Sequence, residues 1–385
     1  MKISITKYKQ IICLLLFFTI SFGIIPPFNP KIYYIKAILI PIVIVLSFFS
    51  KRSFKVIKNL YFIIFLCISL ITMSFLNSFI EFNIVAYSLE LVPFFAIVIM
   101  WQYGISFKIV DNTLITLFVI SSFIGVLQFL FFPTYYYDLG NWVLVTSELP
   151  LLMKRPGSIF GNPNVFGCFN VIFYSWIIFN KINRKKKLYI FIVIINIVLI
   201  AKSRSSLIAI VFIYLFYLYK SGRVKLLITL LLSVGLSISS LLVYIYNNEF
   251  ANQIFRLSDL FNSDSNSFSI RYDIFNFIIN KVNKFHFFGA GPGNIKLYLE
   301  SFNAPWAGPE SAGLHILLQK GVFFYILYII LLIALVSSRK PFNQSIAIIF
   351  LTNGLLETVS VQQQIFSFLI ILLFYNNYKF FSNAI

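Results

Sequence analysis

The feature that most constrains this chain is a succession of apolar runs, each about the length of a bilayer-crossing helix and each joined to the next by a hydrophilic link. Lipid offers no partner for backbone N–H and C=O groups, so a crossing is made by a helix that pairs them internally, over roughly 20 residues. The runs fall at about 11–27, 37–50, 59–77, 83–101, 112–132, 163–180, 188–201, 205–219, 226–246, 313–336, 343–358 and 361–377. They predict an all-α polytopic membrane protein of about 12 transmembrane helices with both termini on one side, forming a single integral membrane domain over 1–385. The first run has no small-residue cleavage site after it and reads as a retained helix.

Only 11% of the residues are charged, whereas soluble domains carry about a quarter. The net charge of +19 could suggest nucleic acid, but the basic residues come in short clusters between apolar runs. Lys2, Lys7 and Lys9, Lys51 to Lys58, Lys108, Lys181 to Lys187, Lys220 to Lys225, Arg339, Lys340 and Lys379 fall on alternate links. Such clusters set membrane orientation, which puts those links in the cytoplasm and excludes a nucleic-acid role. The links at 133–162 and 247–312 then face outward.

The run 188–219 allows two topologies. As a hairpin it has only about 16 residues per leg, roughly 24 Å at 1.5 Å per residue, and its tip Lys202-Ser203-Arg204 sits below the outer surface. As one tilted helix it would move the 247–312 loop to the cytoplasm. The basic clusters after it favour the hairpin.

The 247–312 loop is the largest segment outside the membrane. Within it, 269–284 has the spacing of an amphipathic helix lying on the membrane face. Both histidines, His286 and His315, lie in or just after this loop. Cys13, Cys67 and Cys168 fall in or beside apolar runs without a pairing pattern, so neither a disulfide nor a metal site is expected.

Four arginines belong to the outward side: Arg155, Arg204, Arg256 and Arg271. A guanidinium keeps its charge when partly desolvated and holds phosphate oxygens in a planar fork, so several on one face suit a pyrophosphate. The alternative for any one of them is an ordinary contact with lipid head groups. The run Arg155-Pro-Gly-Ser-Ile-Phe-Gly-Asn-Pro-Asn164 specifies a turn leading into a helix start at Asn164. Gly289-Ala-Gly-Pro-Gly293 lacks the lysine of a nucleotide-binding loop and reads as a tight turn.

Taken in order, Arg155-x-Gly before Asn162-Pro-Asn164, Ser203-Arg204-Ser205 between two spans, Ile270-Arg271-Tyr272 and Gly289-x-Gly-x-Gly293 resemble the O-antigen ligase and Wzy-type polysaccharide polymerase superfamily over roughly 150–335. The resemblance implies glycosyl transfer at the outer face of the bacterial cytoplasmic membrane. Donor and acceptor would be undecaprenyl-pyrophosphate-linked oligosaccharides, with no nucleotide sugar, metal or other cofactor. Membrane lipids and a chain-length regulator protein are the other candidate partners. Arg204 and Arg271, backed by Arg155 and Arg256, would hold the departing pyrophosphate.

A base would take the acceptor's proton. Ligases are similar in carrying a His, then Asn, Ser or Gln, then nine residues and a Gly; here Glu310-Ser311 precede Gly321 at that spacing. The glutamate favours the polymerase branch and makes Glu310 the first candidate base, with His315 its competitor. A transporter of lipid-linked glycans is the alternative of another class, although no internal repeat shows.

Overall fold

The computed structural model describes residues 5–21, 103–131, 134–138, 141–145, 155–180, 185–223, 295–301, 312–356 and 363–377, with 96–97, 100, 225–226, 229, 276–277, 280 and 289–291. The expected spans 37–50, 59–77 and 226–246, most of 83–101 and most of the 247–312 loop, including nearly all of the amphipathic stretch, lie outside them.

Helices occupy every other expected span: α1 (Ile5–Ser21), α2 (Phe107–Phe131), α3 (Pro163–Phe179), α4 (Lys186–Ile195) and α5 (Arg204–Lys220), then α6 (Ile295–Glu300) in the large loop, and α7 (Ala312–Val336), α8 (Pro341–Leu356) and α9 (Gln363–Asn377). Two of them, α2 and α7 over Gly313–Val336, are long and apolar enough to cross a membrane. The described residues depart from an all-helical chain in one place. Strands β1 (Thr134–Asp138) and β2 (Asn141–Val145) pair antiparallel, with Asp138 opposite Asn141. This hairpin falls in the 133–162 link, where no element was expected.

The bundle is built around α3. Its residues from Val165 to Ile178 are all buried, including Trp176, Phe166, Phe169 and Phe173. A helix that is apolar all round belongs at the centre of a bundle, and α3 packs against α2, α4, α5, α8 and α9. It starts where Asn162 caps the first turn, accepting from the N–H groups of Asn164 (2.8 Å) and Val165 (3.3 Å), with Pro163 at the first helical position. The cap is therefore Asn162, one residue before a start at Pro163; Asn164 has another task, described below.

Side-chain pairs fix the direction of each helix. Phe107, at the start of α2, stacks on Trp176, near the end of α3, at 5.1 Å, while Gly125 farther along α2 lies against Phe166. Lys186, at the start of α4, sits 5.4 Å over the ring of Tyr217, at the end of α5. At the opposite end of that pair, Gly167 of α3 is so close to Ser203 and Ser206 that an added Cβ would come within 2.7 Å of each. Hence α4 and α5 form a hairpin with both legs along α3, and a single tilted helix over 188–219 is ruled out.

Two distinct ends result. One holds Lys9, Lys186 and Lys340, each turned onto backbone oxygens: Lys9 onto Gly104 (3.1 Å), Lys186 onto Ile178 (3.3 Å) and Lys340 onto Asn376 (2.8 Å). For α3 and α9 these cations cap the carbonyl ends of helices and complement their dipoles. The other end holds the hairpin tip, the 155–162 turn and the entry to α7.

Candidate functional site

The tip of the α4–α5 hairpin begins with a change of helical pitch. From Asn196 to Ala201 the chain continues α4 as a π-helix, and the wider turn carries Asn196 into the core. Its Nδ2 donates to Ser122 Oγ (2.8 Å) and Asn170 Oδ1 (2.9 Å), which satisfies a buried amide inside apolar packing. Pi segments recur at functional sites because they displace the backbone and side chains that follow.

The π segment stops at Lys202, whose φ of 48° and ψ of 45° are left-handed. The N–H groups of Lys202 and Ser203 both return to the Ile197 carbonyl, and the Ala201 carbonyl takes a donor from another element. Arg155 supplies it. Its Nε donates to Ala201 O at 3.2 Å and its Nη2 to Asn164 Oδ1 at 2.8 Å, so one guanidinium ties the hairpin tip to the first turn of α3.

Lys202 sits half-buried beside this arginine, with its ammonium 5.5 Å above the ring of Phe129. Burial, and secondarily the nearby Arg155 charge, pull the Lys202 amine down to about 8. Lys202 and Ser158 are the non-glycine residues at positive φ among the described ones, and both belong to this end of the bundle. Such conformations cost on the order of 1–3 kcal/mol and persist where surrounding structure holds them.

Helix α5 starts immediately afterward at Arg204. No side chain caps its first turn, because Ser203 Oγ hydrogen-bonds Ser206 Oγ (2.8 Å) and Ser205 Oγ (3.3 Å) instead. The amides of Arg204, Ser205 and Ser206 thus lack a side-chain cap, at the positive end of a helix dipole. Arg204 itself is exposed. Arg155 and Lys202 are neighbours beside the hairpin tip, and Arg204 opens the uncapped helix that follows; cations at a helix N-terminus are chemically matched to a multiply charged anion such as a phosphate.

His315 occupies a different part of the same end. It lies half-buried on the first turn of α7, sharing a side-chain hydrogen bond with Gln319 and close to the charge of Lys320. In the same helix, Leu317 and Leu318 pack with Ala290, Ile295, Tyr298 and Leu299 from the large loop, in a cluster separate from the main core. Arg256, Arg271 and Glu310 lie outside the described residues; Glu310 is two positions before the start of α7.

The segment 188–329, which runs from the hairpin through the large loop into α7, matches the family model described as O-antigen ligase. Over that segment, less than half of its length, the chain is similar to the O-antigen ligase family. No curated protein matches it. The family segment contains the π turn, Lys202, Arg204 and His315, whereas Arg155 reaches in from outside it.

Lys202 is the cation that sequence reasoning passed over. In the sequence it is only part of a hairpin tip, whereas its neighbours Ser203 and Arg204 match the superfamily pattern. The signal was available in its charge beside two serines between apolar runs, but its left-handed backbone and its approach to Arg155 depend on a partner 47 positions earlier in the chain.

Proposed function

We propose that this protein is a Wzy-type polysaccharide polymerase of the bacterial cytoplasmic membrane, with its site at the outer face. It transfers glycan from an undecaprenyl-pyrophosphate-linked donor to a hydroxyl of a second lipid-linked oligosaccharide. The single observation that best supports this function is Arg155 tied to the hairpin tip beside Lys202, next to the uncapped start of α5 at Arg204, at the end of the bundle opposite the lysine-capped one. The distribution of Lys and Arg favours a cytoplasmic position for the lysine-capped end, which supports an outward-facing anion site, on the side where lipid-linked glycans are joined.

The reaction is a substitution at the donor's anomeric carbon. The acceptor hydroxyl oxygen forms the new C–O bond as the bond to pyrophosphate breaks, and the electron pair leaves on undecaprenyl pyrophosphate. Arg204 and the first-turn amides stabilise that developing charge, with Lys202 beside them and Arg271 and Arg256 from the loop as further ligands. Arg155 touches the anion's surroundings chiefly by holding the tip in shape. Glu310 takes the hydroxyl proton as first candidate, with His315 the alternative.

Deleting the gene and inspecting lipid-linked glycans tests the assignment. Accumulated single repeats are expected; long chains on the carrier that fail to reach their final acceptor would make the protein a ligase, the activity named in the family description.

A further inference from the structure

Helix α7 is broken at Gly321, whose φ of 83° and ψ of −179° are not helical. A break of this kind removes the amide partners of the carbonyls in the preceding turn. Two of those carbonyls have found others: the N–H of Ala290 donates to Leu318 O at 2.9 Å, and the N–H of Gly291 donates to Gln319 O at 2.8 Å. The turn Gly289-Ala-Gly291 of the large loop therefore closes a gap in a helix that begins 21 residues later.

The fit admits no side chain at Gly289. That residue has φ 72°, and a Cβ there would lie 2.5 Å from Gly321 N and 2.6 Å from the Gln319 carbonyl carbon and oxygen, all backbone atoms that cannot step aside. Beside the pair of hydrogen bonds, Ala290, Ile295, Tyr298 and Leu299 pack on Leu317 and Leu318. The upper part of α7, residues 312–320, is thus fastened to the large loop through both backbone and apolar contacts. It is the part that carries His315 and follows directly from Glu310.

We propose that the Gly289–Gly291 turn is a positioning clip. It sets the direction of the 312–320 half-helix, and with it the proton-accepting group, relative to the cations at the α5 N-terminus. This rests on the glycosyl-transfer function proposed above. Gly289, Ala290, Gly291 and Gly321 are positioning residues: their role is to hold the half-helix, and they take no part in the bond changes. A clip suits a base carried on a helix that is broken from its membrane anchor, because misplacement of about 1 Å is enough to cost on the order of 100-fold in rate.

The test compares wild type, Gly289→Ala and Gly291→Ala, purified in the same detergent, by hydrogen exchange and by turnover on a lipid-linked repeat. In wild type, peptides covering 289–291 and 312–320 exchange slowly. In both variants these two segments are expected to lose protection together, while peptides from α3 stay protected. Turnover should fall at least about 10-fold, with KM for the donor changed by less than about 3-fold.

Full turnover in a variant that has lost the protection would overturn the proposal, and so would protection that persists in both variants. Collapse of α3 protection in both would overturn it too, since the turn would then be part of the main core. A wild-type protein that exchanges as expected yet transfers no glycan would instead refute the enzymatic function and leave the clip standing as structure.

Discussion

Arg155 Nε donates to the carbonyl of Ala201 at 3.2 Å, across 46 positions of sequence, and the same guanidinium holds Asn164 at 2.8 Å. Two oxygens in different elements are met by one planar fork, which a lysine ammonium on a flexible stem cannot reproduce. Arg155→Lys is therefore expected to destabilise the protein by about 1.5–3 kcal/mol, the worth of a charged hydrogen bond lost in a partly buried setting. Thermal unfolding in detergent reads the stability change, and the donor KM should rise in parallel because the tip carrying Lys202 and Arg204 loosens.

Arg204 separates function from stability. It is exposed, so Arg204→Ala should leave insertion and unfolding temperature unchanged, within about 0.5 kcal/mol, while polymer disappears from cells. Arg271→Ala should do the same to polymer. Wild-type polymer in both variants would remove the pyrophosphate role from them.

The helices were legible to within a few residues because lipid-sized apolar runs leave few alternatives: α2, α3, α5, α8 and α9 begin and end near the limits read from the sequence. The hairpin over 186–220 was also legible, through the basic residues that follow it. Other features were not, for reasons that differ. The clip could not be read because the partners of Ala290 and Gly291 are carbonyls freed by Gly321, and a backbone pairing of that kind leaves no mark on local side-chain pattern. The β1–β2 hairpin did leave one: Thr134-Tyr-Tyr-Tyr and Trp142-Val-Leu-Val145 flank Leu139-Gly140, a strand and turn composition masked by the expectation that the link was a loop. At Asn162 the error was a single position, because Asn162 and Asn164 both suit a cap and only the geometry shows that Asn164 serves Arg155.

The two candidate bases are told apart by substitution. Glu310→Gln keeps the size of the side chain and removes its basicity, and should lower turnover far more than His315→Ala. The reverse ranking would give the proton to His315, which shares a hydrogen bond with Gln319. Single-turnover rates on a lipid-linked repeat are the measurement, since they isolate chemistry from product release.

Lys202 gives the site a pH dependence of stated sign. Its amine is lowered from 10.5 to about 8 by burial and by Arg155, so it is charged at pH 7 and discharges as pH rises through about 8. A pyrophosphate favours the charged form, so donor KM should rise above that pH. Stability moves the other way: the unfolded chain binds the extra proton between about 8 and 10.5, so the folded state gains as pH increases over that window. Lys202→Arg should flatten the KM profile, because a guanidinium stays charged throughout.

The central claim is that cations gathered at the start of α5 hold a lipid pyrophosphate while its glycan is transferred. Purified protein in lipid nanodiscs, given undecaprenyl-pyrophosphate-linked repeats and nothing else, tests it most directly. Wild type should release undecaprenyl pyrophosphate and form chains of two or more repeats, and Arg204→Ala should form none. Chains of equal length and yield from the two proteins would contradict the account.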